Sequence, residues 1–129
     1  MRVKAAINGF GRIGRLTLRT LLRRQPDIDV VAINDLAEPA TNAHLFKYDS
    51  NYGPFDGSVM MSGRSMTVND KQIAVLSERD WISLDWGTLG VDLVIECTGV
   101  GNKREMAAQH LQAGAKKVLI SAPASDADV

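Results

Sequence analysis

The sequence predicts an α/β fold: a doubly wound parallel sheet with a small antiparallel insertion. Three observations carry that expectation. INGFGRIGR, Ile7 to Arg15, sets Gly9, Gly11 and Gly14 in the spacing G-x-G-x-x-G, directly after one apolar run and directly before another. The runs VKAAI, IDVVAI and VDLVIE are short and apolar, as strands covered on both faces are. The order strand, helix, strand occurs twice, and a right-handed crossover makes each such pair parallel. A glycine-rich turn between the first strand and helix makes this sheet Rossmann-type.

Taken in order, Val3 to Ile7 reads as a buried strand. From Ile13 the residues Ile13, Leu16, Leu18, Leu21 and Leu22 recur at helical spacing between arginines, and Pro26 ends that helix. Ile28 to Ile33 is the second strand. Asn42 to Tyr48 predicts a short helix capped by Thr41 or Asn42. The punctuated stretch DSNYGPFDGS follows, then short runs at Val59–Met61, Met66–Val68 and Ile73–Leu76, with a hairpin turn at 68–71. These form the antiparallel excursion. Val91 to Glu96 is another buried strand, Thr98-Gly99 a turn, and Lys103 to Ala113 a helix. Gly114 stands where a helix end favours a left-handed residue. Val118 to Ile120 is the next strand.

The chain has 129 residues, 45% of them apolar, which is one domain with enough material for a core. No run approaches the roughly 18 apolar residues of a membrane span, and the N-terminus lacks the form of a secretory signal. Formal charge balances to zero, so no basic surface advertises nucleic acid. The single cysteine, Cys97, excludes an internal disulfide and fits a reducing compartment, the cytoplasm by default. One cysteine and two scattered histidines make no metal constellation.

Each glycine of the turn has a mechanical task. Gly9 permits the sharp exit from the strand. Gly11, without a side chain, lets a diphosphate approach the backbone. Gly14 lets the helix lie close to the sheet. The N–H groups around Gly11, Arg12 and Ile13 lie at the positive end of the helix dipole and suit an anion. Asp35, in AINDL, falls about 20 positions on, where a carboxylate accepts hydrogen bonds from both hydroxyls of an adenosine ribose. It would repel a 2′-phosphate, and Leu36 offers that phosphate no partner. The expected cofactor is therefore NAD, in preference to NADP.

INGFGRIGR, VVAINDL, HLFKYDSNYGPF, GVDLVIECTG and HLQAGAKKVLISAPA, in that order, resemble the NAD-binding half of glyceraldehyde-3-phosphate dehydrogenase. The resemblance runs from about Val3 to about Asp128 and is loosest over Ser58 to Trp86. It implies that Arg12 and Ile13 lie at the diphosphate, with Asn8 and Gly9 lining the turn. It places Asp35 on the ribose, Arg79 of SERD beside the adenine, and Thr98 and Gly99 of ECTG along the dinucleotide. Ser121 of SAPA falls near the nicotinamide ribose. Two positions depart from the family pattern. Gly101 stands where an aromatic residue usually flanks the adenine, and Trp81 where a proline is usual. Trp81 is read as ordinary packing, with stacking on the adenine as the minor alternative.

The resemblance also implies what this stretch does not hold. The family's nucleophilic cysteine, its proton-moving histidine and its phosphate pockets come later, so no catalytic residue is assigned here. The thiolate attacks an aldehyde, hydride passes to NAD, and phosphate cleaves the thioester. Residues 1–129 are expected to form the NAD-binding domain without its last strand, leaving the sheet edge beside Val118 to Ile120 exposed or paired with another copy. The sugar-phosphate aldehyde needs the other half, and the family assembles as tetramers. Two alternatives stand beside this reading: the same domain of an erythrose-4-phosphate dehydrogenase, and a stand-alone nucleotide-binding module without catalysis.

Several residues have bland readings. Cys97 is expected to be an inert strand cysteine buried in the core. His44 is read as structural, and His110 as a surface residue or a charge complement to its helix C-terminus. Met60, Met61 and Met66 fill the small sheet's core. Trp86 packs. Arg19, Arg23 and Arg24 form a solvated helix face.

Overall fold

The computed structural model describes residues 3–24, 27–36, 39–49, 53–54, 57–69, 71–98 and 104–120. The chain runs β1 (Val3–Asn8), α1 (Arg12–Arg24), β2 (Ile28–Asn34), α2 (Pro39–Lys47), β3 (Tyr48–Asp49), β4 (Gly53–Pro54), β5 (Val59–Ser62), β6 (Ser65–Val68) and β7 (Lys71–Leu76). A 3-10 turn at Trp81–Ser83 and α3 (Trp86–Leu89) follow, then β8 (Leu93–Glu96), α4 (Arg104–Gln112) and β9 (Lys117–Ile120).

One seven-stranded sheet carries the fold, in the order β5-β6-β7-β2-β1-β8-β9. The strands from β7 to β9 are parallel, and β5 and β6 add an antiparallel margin. The chain leaves β1 toward β2 and β7, then returns to build β8 and β9 on β1's other side. That reversal is a topological switch point, where an open α/β sheet forms a crevice at the strands' C-terminal ends. The fold is the expected Rossmann-type α/β sheet with its antiparallel insertion. One boundary differs: Ile73 to Leu76 was expected inside the excursion. It belongs to both parts, since β7 pairs antiparallel with β6 and parallel with β2. Apolar spacing is the same for either pairing and does not distinguish them.

Alternation along the strands divides the core in two. Ile7, Ile33, Val75 and Ile95 pack with Leu18, Phe10 and Phe46 on the face covered by α1 and α2. Ala6, Ala32 and Val94 pack with Trp81, Leu84 and Trp86 on the opposite face. Residues two apart on a strand share a face, which is why Ala6, Ala32 and Val94 oppose Ile7, Ile33 and Ile95.

Local differences have local reasons. The helix expected from Asn42 begins earlier, at Pro39, whose fixed φ suits a first helical turn. Asn42 caps nothing there. It is buried and donates to Asp35 Oδ2 at 3.3 Å. Arg19 does more than wet its helix: its guanidinium donates to the Phe46 carbonyl at 2.6 Å and ties α1 to the end of α2. Met66 is buried and Met61 half-buried, but Met60 is 68% exposed, because β5 alternates and its outer residues face solvent. The hairpin between β6 and β7 is as expected, with Asn69 in the left-handed region at φ 49°. The 3-10 turn and α3 had no expectation attached. Both are too short for a periodic signal; Asp80 caps the first by accepting from the Ile82 N–H.

Candidate functional site

A cleft of about 520 Å³ opens at the C-terminal ends of the central strands. Asn8, Gly9, Gly11, Asp35, Arg79 and Thr98 line it, together with Asn34, Leu36, Glu78, Trp81 and Cys97. Six of the ten residues singled out from the sequence thus meet at one cavity. Arg12 and Ile13 lie outside its lining, exposed on the first turn of α1, with Ile13 at 52%. Gly99 and Ser121 fall outside the described residues, as does Gly101.

The glycine turn is built as its spacing requires. Gly9 has φ +94°, a backbone setting that side chains disfavour. A Cβ at Gly14 would meet the Gly9 carbonyl oxygen at 2.2 Å, so only glycine lets α1 come this close to the turn. Gly11 is different. A Cβ there would have no atom within 4 Å, so the fold does not need this glycine; the open space lies at the cleft. The first turn of α1 holds no acidic residue, leaving the helix's positive end available to an anion.

Donors on two segments help to hold Asp35 at the cleft. Its Oδ1 accepts from the Phe10 N–H at 3.0 Å, inside the glycine turn, and its Oδ2 from Asn42. Asn34, the preceding residue, clamps the next segment: its Oδ1 accepts from the Glu78 N–H at 2.8 Å and its Nδ2 donates to the Glu78 carbonyl at 3.0 Å. That clamp places Glu78, Arg79 and Trp81 along the cleft.

Beneath the cleft lies a buried polar network that the sequence reading missed. Asn34, Asn8 and Glu96 end β2, β1 and β8 in register. Asn34 Nδ2 donates to Asn8 Oδ1 at 2.8 Å, and Asn8 Nδ2 to Glu96 Oε1 at 2.6 Å. His110 Nε2 lies 2.9 Å from the same oxygen. The Trp86 indole N–H, which only donates, is 3.1 Å from His110 Nδ1. Nδ1 therefore accepts and the ring proton is on Nε2, which donates to Glu96. Glu96 Oε2 accepts both the Thr98 N–H, at 2.9 Å, and the Thr98 hydroxyl. Burial pushes the Glu96 carboxyl up, but the donors from His110, Thr98 and Asn8 outweigh it and hold the group below its ordinary value.

His110 is thus fully buried, not the surface residue expected. Helical position alone does not reveal which face meets Trp81, stacked on the imidazole at 4.8 Å between ring centroids. Trp81 accordingly packs, as read, while also lining the cleft. Cys97 is half-buried, not fully buried as expected: it packs against the core of the α1 face and also lines the cleft, because β8 ends one residue before it. His44 is exposed, and its ring lies tilted against Tyr48, 5.1 Å between centroids. The signal that was available for the network is Glu96 itself: a carboxylate closing an apolar strand needs partners.

Among the described residues, no group of three or more His, Cys, Asp or Glu is placed to hold a metal ion, and no helix is long and apolar enough to cross a membrane. The family model described as glyceraldehyde 3-phosphate dehydrogenase, NAD binding domain, matches residues 3–104. Among curated proteins, a glyceraldehyde-3-phosphate dehydrogenase of Geobacillus stearothermophilus is 56% identical over 129 residues, covering the whole chain and 38% of the relative. Proteins of the same name from Thermotoga maritima and Clostridium pasteurianum are 55% and 54% identical, over 98% and 95% of the chain and 38% and 36% of their own lengths. The chain spans a little over a third of the relatives it matches.

Proposed function

Because this chain belongs to the glyceraldehyde-3-phosphate dehydrogenase family and carries its NAD-binding domain, we propose that the cleft at the switch point is where the dinucleotide sits. Asn8, Gly9, Gly11, Asp35, Arg79 and Thr98 line it there, with Arg12 and Ile13 supplying main-chain N–H groups from the start of α1 to the diphosphate. On the family pattern Gly99 belongs along the dinucleotide and Ser121 near the nicotinamide ribose. The observation that carries the reading is Gly11, whose missing side chain serves no packing purpose but opens space at the cleft.

The residues fit the cofactor's chemistry. A diphosphate suits the main-chain amides at the positive end of a helix. Asp35, oriented by Phe10 N–H, accepts from the adenosine ribose hydroxyls and repels a 2′-phosphate, which favours NAD over NADP. Bound there, NAD supplies a nicotinamide that accepts hydride. In the whole enzyme this reading extends to a phosphorylating dehydrogenase of glyceraldehyde 3-phosphate, a cytoplasmic homotetramer whose catalytic cysteine and histidine come from another part. The relatives reported above carry that name, which disfavours the erythrose-4-phosphate reading.

Gly11→Val is the test. Titration calorimetry should show NAD binding lost or weakened by about a hundredfold, some 3 kcal/mol of binding energy. Thermal unfolding without ligand should move less than NAD affinity does, since a Cβ at this position meets no atom within 4 Å. Unchanged NAD affinity would place the ligand elsewhere.

A further inference from the structure

We propose that Glu96 is a positioning residue of the dinucleotide cleft: it holds Thr98 in its ligand-binding place before any ligand arrives. The inference rests on the cleft being the NAD site. Glu96 is 2% exposed and does not line the cleft, so it acts through others. Thr98 is wedged between two fixed bodies. On one side is the glycine turn, so close that a Cβ at Gly9 would meet the Thr98 nitrogen at 2.7 Å. On the other is Glu96, which takes both the Thr98 N–H and the hydroxyl proton. With both donors directed inward, Thr98 does not donate to a ligand, and the diphosphate relies on the α1 amides.

The carboxylate is itself anchored from below. Asn8 holds Oε1 from β1, and His110 holds it from α4. His110 is in turn fixed by the Trp86 N–H and by the stacked Trp81 ring, which lines the cleft. One buried group therefore links the Thr98 wall to the Trp81 wall. Four donors converge on it, and a carboxylate, acceptor-only at both oxygens, can take all four. A glutamine cannot: its NH₂ end would face either the Asn8–His110 pair or the Thr98 pair, donor against donor.

The experiment compares the unaltered chain with Glu96→Gln, Thr98→Val and the double variant, measuring NAD affinity by calorimetry well below each unfolding temperature. Glu96→Gln should weaken NAD binding by about tenfold, the scale of a lost hydrogen bond to a charged group. If Glu96 acts through Thr98, the double variant binds no worse than the weaker single. Additive losses overturn the proposal, since a merely structural role leaves the two effects independent. Equal affinity of Glu96→Gln and the unaltered chain overturns this inference alone; no NAD uptake by the unaltered chain overturns the proposed function and this inference with it. Amide exchange in the unaltered chain, without NAD, decides the matter even if Glu96→Gln does not fold. The Thr98 N–H should already be protected; free exchange there overturns preorganisation.

Discussion

Ile7, Ile33, Val75 and Ile95 fill one face of the sheet, while Ala6, Ala32, Ala74 and Val94 line the other. The first face is covered by aliphatic side chains and two phenylalanines 5.8 Å apart. The second gives up volume on the strands so that Trp81 and Trp86 fit above them. The difference continues to the strand ends. On the small-residue face the next positions along, Asn8, Asn34 and Glu96, are buried and polar. Both sides reach full burial, but one does so with surfaces that tolerate repacking, and the other with directional bonds that leave one arrangement. The cleft is built on the directional side.

Removing the ring that fills the space tests the contrast most severely. Trp86→Ala should cost about 4 kcal/mol, read as a fall in the denaturant midpoint, because it empties a fully buried site and leaves His110 without its donor. Trp86→Phe keeps most of the volume and should cost about 1.5 kcal/mol, the share of the hydrogen bond. Equal losses would mean that the hydrogen bond alone matters on this face and the volume of the ring does not.

Size swaps sharpen the comparison further. Ala32→Leu, into the space the tryptophans occupy, should cost about 2 kcal/mol by overpacking. Ile33→Val, one residue along but on the other face, should cost about 1 kcal/mol. The reverse order would show that the tryptophan side is the looser one.

Acid supplies the gentlest probe. Folding lowers the Glu96 carboxyl below its ordinary 4.5, so the unfolded chain binds that proton more readily. The stability it contributes is complete above the unfolded value and is lost as pH falls through the folded one. Asp92 acts with the same sign, lowered first by the Lys4 N–H and then by Lys116. Unfolding midpoints should therefore drop on acidification below about pH 5, and Glu96→Gln should flatten part of that slope while leaving the Asp92 share. An unaltered slope in Glu96→Gln would remove Glu96 from the balance.

Much of this was legible in the residues. INGFGRIGR carries its own turn geometry, and the apolar runs predict the parallel strands because burial on both faces leaves no polar alternation. Asp35 is legible because it follows the second strand at the expected distance. The polar row was not, since its members are adjacent only through register: nothing in the chain places Asn8 beside Glu96 and His110. Nor was the position of Trp81, whose partner is a histidine on a distant helix.

Gly11, with vacant room where its side chain would point, has a practical bearing on how variants of this chain are scored. A survey that ranks substitutions by expression or solubility would mark position 11 as permissive, whereas one that selects for cofactor uptake would mark it as forbidden. Gly9 and Gly14, pressed against their neighbours, would fail both. Disagreement between two such surveys, residue by residue, would draw the outline of the ligand without any ligand being seen.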